Sequence, residues 1–178
     1  MMIGIAGAGG IGSNVAVNLV RSGVTCLKIV DFDRIEPSNL NRQFYFADQV
    51  GGLKVETLAR NLTRINPEVE ITTVVETITP ANIESLFADC DPIVEGLDNG
   101  DDKKMILEQF SSGKSLVVSA SGIAGLEVDT ITSRRLGNCH IVGDMVSDCS
   151  TNRLYAHKVL AVAARMTAIL LQHGTQHE

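Results

Sequence analysis

The sequence predicts an α/β fold in which a mainly parallel sheet is covered by helices, with an antiparallel extension near the C-terminus. Two observations support this prediction. Up to residue 121, short apolar runs alternate with segments whose apolar residues have a helical spacing. After residue 121, two strand-like runs follow one another with no helical segment between them. Such neighbouring strands are expected to pair antiparallel.

The first elements form a β-α-β unit. The apolar run of residues 1–6 ends at glycines and predicts a buried strand. Residues 13–22 predict a helix that stops at Gly23. Residues 24–33 contain several β-branched side chains and end in aspartates, which predicts the second strand. The crossover between the two strands is expected to be right-handed.

A long polar segment and further alternating elements follow. Residues 34–50 predict a loop, and a loop of this length in a compact domain is usually functional. Residues 53–65 predict a helix that stops before Pro67. The next predicted elements are a strand at 69–77, a helix at 79–88 with Thr79 as N-cap and Pro80 in its first turn, a strand at 91–97, a helix at 98–113 and a strand at 114–121.

The C-terminal third contains the antiparallel extension and a long helix. The two strand-like runs are residues 122–133 and 136–146. Residues 154–174 predict a helix with too few polar positions to be half exposed. We therefore expect this helix to pack on the sheet and against a second copy in a homodimer. The chain contains no linker, so residues 1–178 are expected to form a single nucleotide-binding domain.

The composition excludes several classes of protein. Of the 178 residues, 44% are hydrophobic and 20% are charged, which is typical of a globular chain. The net charge of -6 argues against nucleic-acid binding, which needs clustered Lys and Arg. No apolar run is long enough to span a membrane. Four scattered cysteines without a C-x-x-C pair, and no secretory signal, predict a cytoplasmic protein without zinc.

Three glycines at the spacing G-x-G-x-x-G lie between the first predicted strand and helix. They are Gly7, Gly9 and Gly12. Glycines here let the backbone approach a phosphate, the helix N-terminus supplies N–H donors, and the third glycine allows close packing of helix on strand. The alternative is a tight turn without a ligand. Asp31, about 20 residues further on, suits a ribose hydroxyl, which fits NAD and ATP equally.

Charged residues after other strands distinguish the two nucleotides. Arg42 and Lys54 follow the second predicted strand, near its carboxyl end, where open α/β sheets bind ligands. Two cations suit a triphosphate better than the pyrophosphate of NAD; the alternative is that both are ordinary surface cations. Asp98 ends a later strand and suits a magnesium ion that bridges phosphates. Alternatively, Asp98 is the N-cap of the following helix.

Four segments in this order resemble the ThiF/MoeB/HesA family, the bacterial relatives of ubiquitin-activating enzymes, and most of all its short thiamine-biosynthesis ThiF-like members (family 2). The segments are "GAGGIGS", "DFDRIEPSNLNRQ", "VGGLKVETLARNLTRINP" and "VEGLDN". The resemblance implies a Rossmann-like domain that binds ATP with magnesium. It also implies that a small ubiquitin-like sulfur-carrier protein ending in Gly-Gly is adenylated at its terminal carboxylate, with thiamine biosynthesis as the expected pathway.

The resemblance also implies roles for individual residues. Four glycines would line the nucleotide: Gly7, Gly9, Gly10 and Gly12. Asp31 would hold the ribose, and Asp98 would bind magnesium. The phosphates would be contacted by Asn39, Arg42 and Lys54. Arg42, Lys54 and Asp98 form the implied catalytic set. The nucleophile is an already ionised carboxylate, so catalysis needs charge neutralisation and alignment rather than a general base.

The chain departs from the larger relatives in three ways. Those relatives carry an N-terminal helix whose arginine reaches the partner's ATP site, whereas this sequence begins at the first strand. Their paired C-x-x-C zinc ligands are absent, and Lys103 stands where arginine is usual. Two alternatives therefore stay open: a non-catalytic ATP-binding interaction module, and an NAD-dependent oxidoreductase, for which no acid for hydride transfer is evident.

The cysteines add one further hypothesis. Cys139 and Cys149 lie in the C-terminal region, where this family can place a cysteine that forms a thioester or persulfide. A reactive cysteine needs an exposed, electropositive environment, whereas most free cysteines are small buried hydrophobic residues. Cys26 lies in the middle of a predicted strand and is expected to be structural.

Overall fold

The computed structural model describes residues 2–113 and 115–175. The strands are β1 (Ile3–Ala6), β2 (Cys26–Val30), β3 (Glu70–Val74), β4 (Ile93–Glu95), β5 (Val117–Ala120), β6 (Thr132–Leu136) and β7 (Cys139–Gly143). The α-helices are α1 (Gly10–Arg21), α2 (Lys54–Thr63), α3 (Ile83–Leu86), α4 (Gly100–Phe110) and α5 (Ala156–Thr175). Two single-turn 3₁₀ helices, Pro37–Asn39 and Ala47–Gln49, lie in the long loop before α2.

The strands form one sheet in the order β3-β2-β1-β4-β5-β7-β6. Neighbouring strands from β3 to β7 run parallel; in the centre, Ile5 of β1 pairs with Ile29 of β2 and Val94 of β4. Among the described strands, β6 alone, at the edge, pairs antiparallel with its neighbour, β7. The predicted fold class, a mainly parallel sheet with an antiparallel extension, is thereby confirmed.

Helices cover both faces of the sheet, and each face has its own apolar core. One core lies under α1, α2 and α5 and contains Ile5 and Val94. The other lies under α3 and α4 and contains Ile93, Phe87 and Ile106. Successive side chains of a strand point to opposite faces, so a strand buried on both faces needs an unbroken apolar run. This explains the composition of the central strands.

Helix α5 packs on the sheet, as predicted from its apolar sequence. Its buried residues on this side are Val159, Val162, Ala163, Met166 and Leu170. The opposite side exposes Leu160, Ala164 and Ala168, spaced four residues apart. Although α5 is 20 residues long, none of the described helices has the length and apolar content needed to cross a membrane.

Two predicted helix starts were wrong. Helix α1 begins at Gly10 rather than at residue 13, so its first turn includes part of the glycine loop. Helix α3 is a single turn that begins at Ile83, and Thr79 does not cap it. Instead, the backbone N–H of Thr79 donates to Asn82 Oδ1 over 2.7 Å. This local hydrogen bond forms a turn around Pro80 that takes the place of the predicted first helical turn.

The predicted strand at 122–133 was also wrong for most of its length. Strand β6 begins only at Thr132, and residues 122–131 form a loop. Gly122 and Gly125 have φ angles of +74° and +85°, a conformation that does not continue a β ladder. The alternation of apolar residues in this segment therefore does not come from a strand.

Gly12 allows α1 to approach the end of β1 at backbone contact. A Cβ atom at Gly12 would lie 1.8 Å from the carbonyl oxygen of Gly7 and 3.1 Å from the side chain of Ile5. Only glycine fits at this distance. The approach brings the N-terminus of α1 to the carboxyl end of the sheet, where it can face a ligand.

We expect Gly12→Ala to lower the free energy of unfolding by about 3 kcal/mol, because the methyl group overlaps backbone atoms that cannot move independently. Urea denaturation monitored by circular dichroism measures this change. Gly100→Ala is the matched control, since a Cβ there meets no atom within 4 Å. A Gly12→Ala protein as stable as the Gly100→Ala protein would contradict the packing role of Gly12.

Candidate functional site

A cleft of about 1020 Å³ opens at the carboxyl edge of the parallel strands. Its lining comes from the segments that follow β1, β2, β3, β4, β5 and β7. The chain leaves β1 in one direction along the sheet through β2 and β3, and returns on the other side through β4. Such a switch point leaves a crevice between loops that diverge, which is where open α/β sheets bind ligands.

The glycine loop forms one side of this cleft. Gly7, Gly9 and Gly10 line it, and Gly7 has a φ angle of +90°. A Cβ at Gly7 would lie 2.9 Å from the carbonyl oxygen of Gly96, so the loop lies directly on the segment after β4. Gly9 is the N-cap of α1 and has no side chain to bond the first N–H groups. Those groups are therefore available to an anion.

Asp31, directly after β2, faces the cleft and also supports the glycine loop. Its Oδ2 accepts the N–H of Ala8 over 2.7 Å, and its Oδ1 accepts the N–H of Asp33 over 2.8 Å. Burial raises the pKa of the Asp31 carboxyl above its usual value, although these two N–H donors and the Lys54 charge oppose the shift. Each carboxylate oxygen has a further lone pair with which to accept a hydroxyl of a ligand.

Lys54 and Arg42 both line the cleft, in different environments. Lys54 begins α2, is 6% exposed and pairs through its Nζ with Asp33 Oδ2 over 2.6 Å. The alternative that Lys54 is an ordinary surface cation was therefore wrong. Arg42 is half-buried, and its guanidinium donates to the carbonyl of Ser38 and to Asn41 Oδ1. Within the described residues, Arg42 forms no ion pair.

Asp98 is exposed in the cleft after β4. The alternative that it caps the next helix was wrong, because Asn99 does so: Asn99 Oδ1 accepts the N–H of Asp101 over 2.9 Å. The Asp98 carboxylate is thus left to face the cleft. One carboxylate fits Mg²⁺, which keeps several waters and binds one or two carboxylates together with substrate phosphates. Among the described residues, no group of three or more His, Cys, Asp or Glu side chains is placed to hold a metal ion.

Two residues carried over from the family motif lie outside the lining of the cleft. Gly12 packs against Gly7, as described above. Asn39 is buried, and its Oδ1 accepts the N–H of Glu36 over 3.0 Å. The carbonyl of Asn39 in turn accepts the N–H of Arg42 over 3.2 Å. The structure therefore gives Asn39 a part in shaping the loop that carries Arg42, and a contact of Asn39 with a phosphate stays a prediction.

The cysteines are placed differently from one another. Cys139 in β7 is buried, and burial raises the pKa of its thiol. Cys149 is exposed and lines the cleft. Partial burial and the Asp148 charge raise the pKa of the Cys149 thiol, against the opposing charges of Lys103 and Arg42. Neither thiol has the lowered pKa that is typical of an activated cysteine.

The sequence profile of the ThiF family matches residues 1–172. The chain belongs to the ThiF family. The resemblance indicated by the sequence segments is thereby confirmed, and the glycine loop, Asp31, Arg42, Lys54 and Asp98 are all placed within the matched part.

Named relatives of this ThiF-family chain are longer proteins. The adenylyltransferase and sulfurtransferase UBA4 of Candida glabrata is 36% identical over 138 residues, which are 76% of this chain and 32% of the relative. The tRNA threonylcarbamoyladenosine dehydratase of Escherichia coli is 30% identical over 123 residues, which are 68% of this chain and 46% of the relative. The chain thus spans less than half the length of these curated relatives.

Solved structures show the same fold. The E. coli tRNA N6-threonylcarbamoyladenosine dehydratase in complex with AMP has a TM-score of 0.87 at 19% identity, covering 98% of this chain and 87% of the other. HcgE from Methanothermobacter marburgensis, bound to guanylylpyridinol and ATP, has a TM-score of 0.81 at 17% identity, covering 99% and 96%. At these identities the likeness shows the fold alone.

The sequence did not lead us to predict a buried carboxylate next to the cleft. Glu95 of β4 is 0% exposed, and its oxygens accept from the N–H of Leu97 over 2.7 Å and from Ser119 Oγ over 2.6 Å. Lys103 of α4, which lines the cleft, pairs with Glu95 over 3.1 Å. The sequence signal was available: a glutamate inside the apolar run "PIVEGL" is expected to have a charged partner.

A second ion pair was missed on the other side of the cleft. Lys158 of α5 is 2% exposed and pairs through its Nζ with Asp144 Oδ2 over 2.6 Å. Burial favours the neutral form of Asp144, but hydrogen bonds from Lys158 and from the N–H groups of Ser147 and Val146 outweigh it and lower the Asp144 pKa below its usual range. The signal in the sequence was a lysine on the apolar face of the last helix.

We expect Lys103→Met to lower the free energy of unfolding by about 3 kcal/mol, because it leaves the buried Glu95 charge without its counter-ion. Urea denaturation measures the change. Lys104→Met is the matched control: Lys104 pairs with Glu108 over 3.7 Å, and both side chains are about 70% exposed. That variant should stay within about 0.5 kcal/mol of the parent. Equal stability of the two variants would exclude a structural ion pair at Glu95.

Proposed function

We propose that this ThiF-family protein binds ATP with magnesium and adenylates the C-terminal Gly-Gly carboxylate of a small ubiquitin-like sulfur-carrier protein, with thiamine biosynthesis as the expected pathway. One observation carries the proposal: a single cleft is lined by an uncapped helix N-terminus, Asp31, two cations and an exposed Asp98. The magnesium and the homodimer are parts of the same proposal, as are a cytoplasmic location and one nucleotide-binding domain over residues 1–178.

The arrangement supports ATP over NAD. A triphosphate carries more negative charge than the pyrophosphate of NAD and needs more cations. Arg42 and Lys54 line the cleft together with the free N–H groups of α1, and Asp98 adds a ligand for magnesium. An NAD-dependent oxidoreductase would also need a positioned acid or base at the nicotinamide. Among the described residues, no histidine or tyrosine lines the cleft, and its lysines, Lys54 and Lys103, are paired with carboxylates.

The proposed reaction has one chemical step. A carboxylate oxygen of the carrier attacks the α-phosphorus of ATP and forms a new P–O bond, while the bond to the oxygen bridging the α- and β-phosphates breaks. The electron pair of that bond leaves with pyrophosphate, and the carrier becomes an acyl-adenylate. Magnesium, when bound, neutralises charge on the phosphates.

Each side chain has a role that follows from its place. Asp31 accepts hydrogen bonds from the ribose hydroxyls. The N–H groups at the start of α1 bind the phosphates without reorganising, because the loop that presents them is fixed by packing. Arg42 contacts the phosphates with a planar pair of donors, and Lys54 adds a charge whose direction is set by Asp33.

The names of the relatives support activation by adenylation and also suggest a second candidate. UBA4 is named an adenylyltransferase and sulfurtransferase, which favours the sulfur-carrier reaction. The E. coli relative is named a tRNA threonylcarbamoyladenosine dehydratase, so a carboxylate on a modified tRNA nucleoside is the second candidate substrate. The net charge of -6 favours the protein carrier, since tRNA binding needs a basic surface. A non-catalytic ATP-binding module would show ATP binding with neither reaction.

We expect ATP–pyrophosphate exchange that depends on a carrier ending in Gly-Gly, and loss of about 100-fold or more of this exchange in Arg42→Ala and in Asp98→Ala. Both side chains line the cleft without supporting the core, so the variants should stay folded. The measurement is the incorporation of labelled pyrophosphate into ATP with several carriers, and with modified tRNA in a parallel assay.

The matched controls are Arg64→Ala and Asp129→Asn, two exposed residues outside the cleft lining. They should keep exchange within about twofold of the parent. Absence of exchange with every carrier, together with turnover on modified tRNA, would replace the sulfur carrier by the nucleoside substrate. Tight ATP binding without turnover on either would support the non-catalytic module, and tighter binding of NAD than of ATP would support the oxidoreductase.

The exposed apolar side of α5 supports the proposed homodimer. We expect light scattering at micromolar concentration to give a dimer, and Ala164→Glu on this side to give a monomer, because a charge would be buried in the interface. Ala88→Glu, an exposed position near α3 on the opposite face of the sheet, should remain a dimer. A monomeric parent protein would contradict this part of the proposal.

A further inference from the structure

One wall of the cleft is built from two loops in backbone contact. We call it the β5–β7 wall; it consists of residues 121–125, after β5, and residues 144–150, after β7. A Cβ at Gly122 would lie 1.9 Å from Asp144 Oδ1 and 2.6 Å from the nitrogen of Met145. A Cβ at Gly143 would lie 1.8 Å from the carbonyl oxygen of Ser121. The two loops therefore touch where only glycine fits.

Lys158 joins both loops from the core side. Its Nζ donates to the carbonyl of Ala124 over 2.6 Å and to Asp144 Oδ2 over 2.6 Å. The loops are also joined directly. The N–H of Ala124 donates to Ser147 Oγ over 3.1 Å, and the N–H groups of Asp144 and Met145 donate to carbonyls of residues 121 and 122 over 3.2 Å or less. One buried ammonium group thus connects α5 to both parts of the wall.

Asp144 sets the path of the chain into the cleft. Its Oδ1 accepts the N–H groups of Val146 and Ser147, both over 2.8 Å. Met145 lies between Asp144 and Val146 in the chain. Its φ angle is +63°, which is uncommon for a residue with a side chain. Its neighbour Val146 is 86% exposed at the cleft. The hydrogen bonds to Asp144 hold this otherwise unfavourable turn in one conformation.

The wall lies at the opposite end of the cleft from Asp31. In the sheet, β2 is on one side of β1 and β4, whereas β5 and β7 are on the other. A nucleotide whose ribose is at Asp31 and whose phosphates are at the glycine loop occupies the β2 side and the centre. The second reactant must then approach the phosphates along the β5–β7 wall.

Stability alone does not account for this ion pair. Taking the charges of Lys158 and Asp144 out of water is costly, and well-packed apolar residues in place of a buried ion pair are often as stable or more stable. What such a pair supplies, and apolar side chains do not, is directional bonds to defined backbone atoms. Here those atoms belong to the two loops that form the wall.

We propose that Lys158 and Asp144 are positioning residues that hold the β5–β7 wall in the shape that receives the second reactant, while the nucleotide is bound by other residues. The nature of the second reactant, a polypeptide ending in a carboxylate, rests on the proposed function. The position of the wall and its dependence on the ion pair of Lys158 and Asp144 do not rest on the proposed function.

The test compares Lys158→Met and Asp144→Asn with Lys28→Met. Lys28 also forms an ion pair, with Asp89, but lies outside the cleft lining. Three quantities are measured on the full chain: backbone hydrogen exchange by mass spectrometry, the Kd of MgATP by calorimetry, and the KM for the carrier in pyrophosphate exchange. Ser147→Ala, which removes the hydroxyl that bonds the N–H of Ala124 and the Asp144 carboxylate but keeps the ion pair, replaces Lys158→Met if that variant does not fold.

In Lys158→Met and Asp144→Asn we expect faster exchange in residues 121–125 and 144–150, with exchange in α1 unchanged. The Kd of MgATP should stay within about threefold, and the KM for the carrier should rise about tenfold or more, because a small displacement of a positioning surface is costly. Lys28→Met should change none of these. A purely structural role would instead raise exchange throughout the core and weaken MgATP binding to the same degree.

Unchanged exchange in the wall, or a loss of MgATP affinity as large as the rise in KM, would overturn the proposal. If the parent protein shows no pyrophosphate exchange with any carrier, the proposed function fails. Hydrogen exchange in the wall, compared with exchange in α1, then still decides whether Lys158 and Asp144 hold the wall. Failure of the proposed function and failure of the positioning role are therefore distinguishable.

Discussion

The position of helix α1 relative to the sheet, and with it the shape of the cleft, depends on a backbone contact among three glycines at the centre of the sheet. Gly12 lies against Gly7, Gly7 against Gly96, and a Cβ at Gly96 would be 3.0 Å from the nitrogen of Gly12. These residues belong to α1, to the loop after β1 and to the segment after β4. Their contact joins the helix to both central strands at the point where the strand order reverses, and it directs the free N–H groups of α1 into the cleft.

Around this contact, the cations of the cleft are held by carboxylates. Lys54 pairs with Asp33, and Lys103 pairs with Glu95. Each pair fixes the direction of an ammonium group before a ligand arrives, which reduces the reorganisation that binding a polyanion would need. Arg42 is the exception among the cleft cations of the described residues, because only neutral oxygens accept its hydrogen bonds.

The two ends of the cleft differ in construction. On the β2 side, Asp31 is a half-buried side chain that faces the cleft from the end of a regular strand. On the β7 side, the lining is made of loops with irregular backbone, held by buried polar groups. Loops tolerate change in sequence and length better than strands do, so the β5–β7 wall can vary without altering the strand end that carries Asp31.

The sequence by itself determined the α/β class, the glycine loop and the placement of Asp31, Arg42, Lys54 and Asp98 at one edge, because local periodicity and position at strand ends carry that information. Tertiary structure decided the rest. It turned residues 122–131 into a loop, bonded the Asn39 side chain to the backbone of its own loop and assigned the cap of α4 to Asn99 rather than Asp98. It also paired Lys103 and Lys158 with their carboxylates. Local spacing indicates that a charge within an apolar run needs a partner, but which side chain supplies it, and which polar residue caps a helix, depends on the geometry of the folded chain.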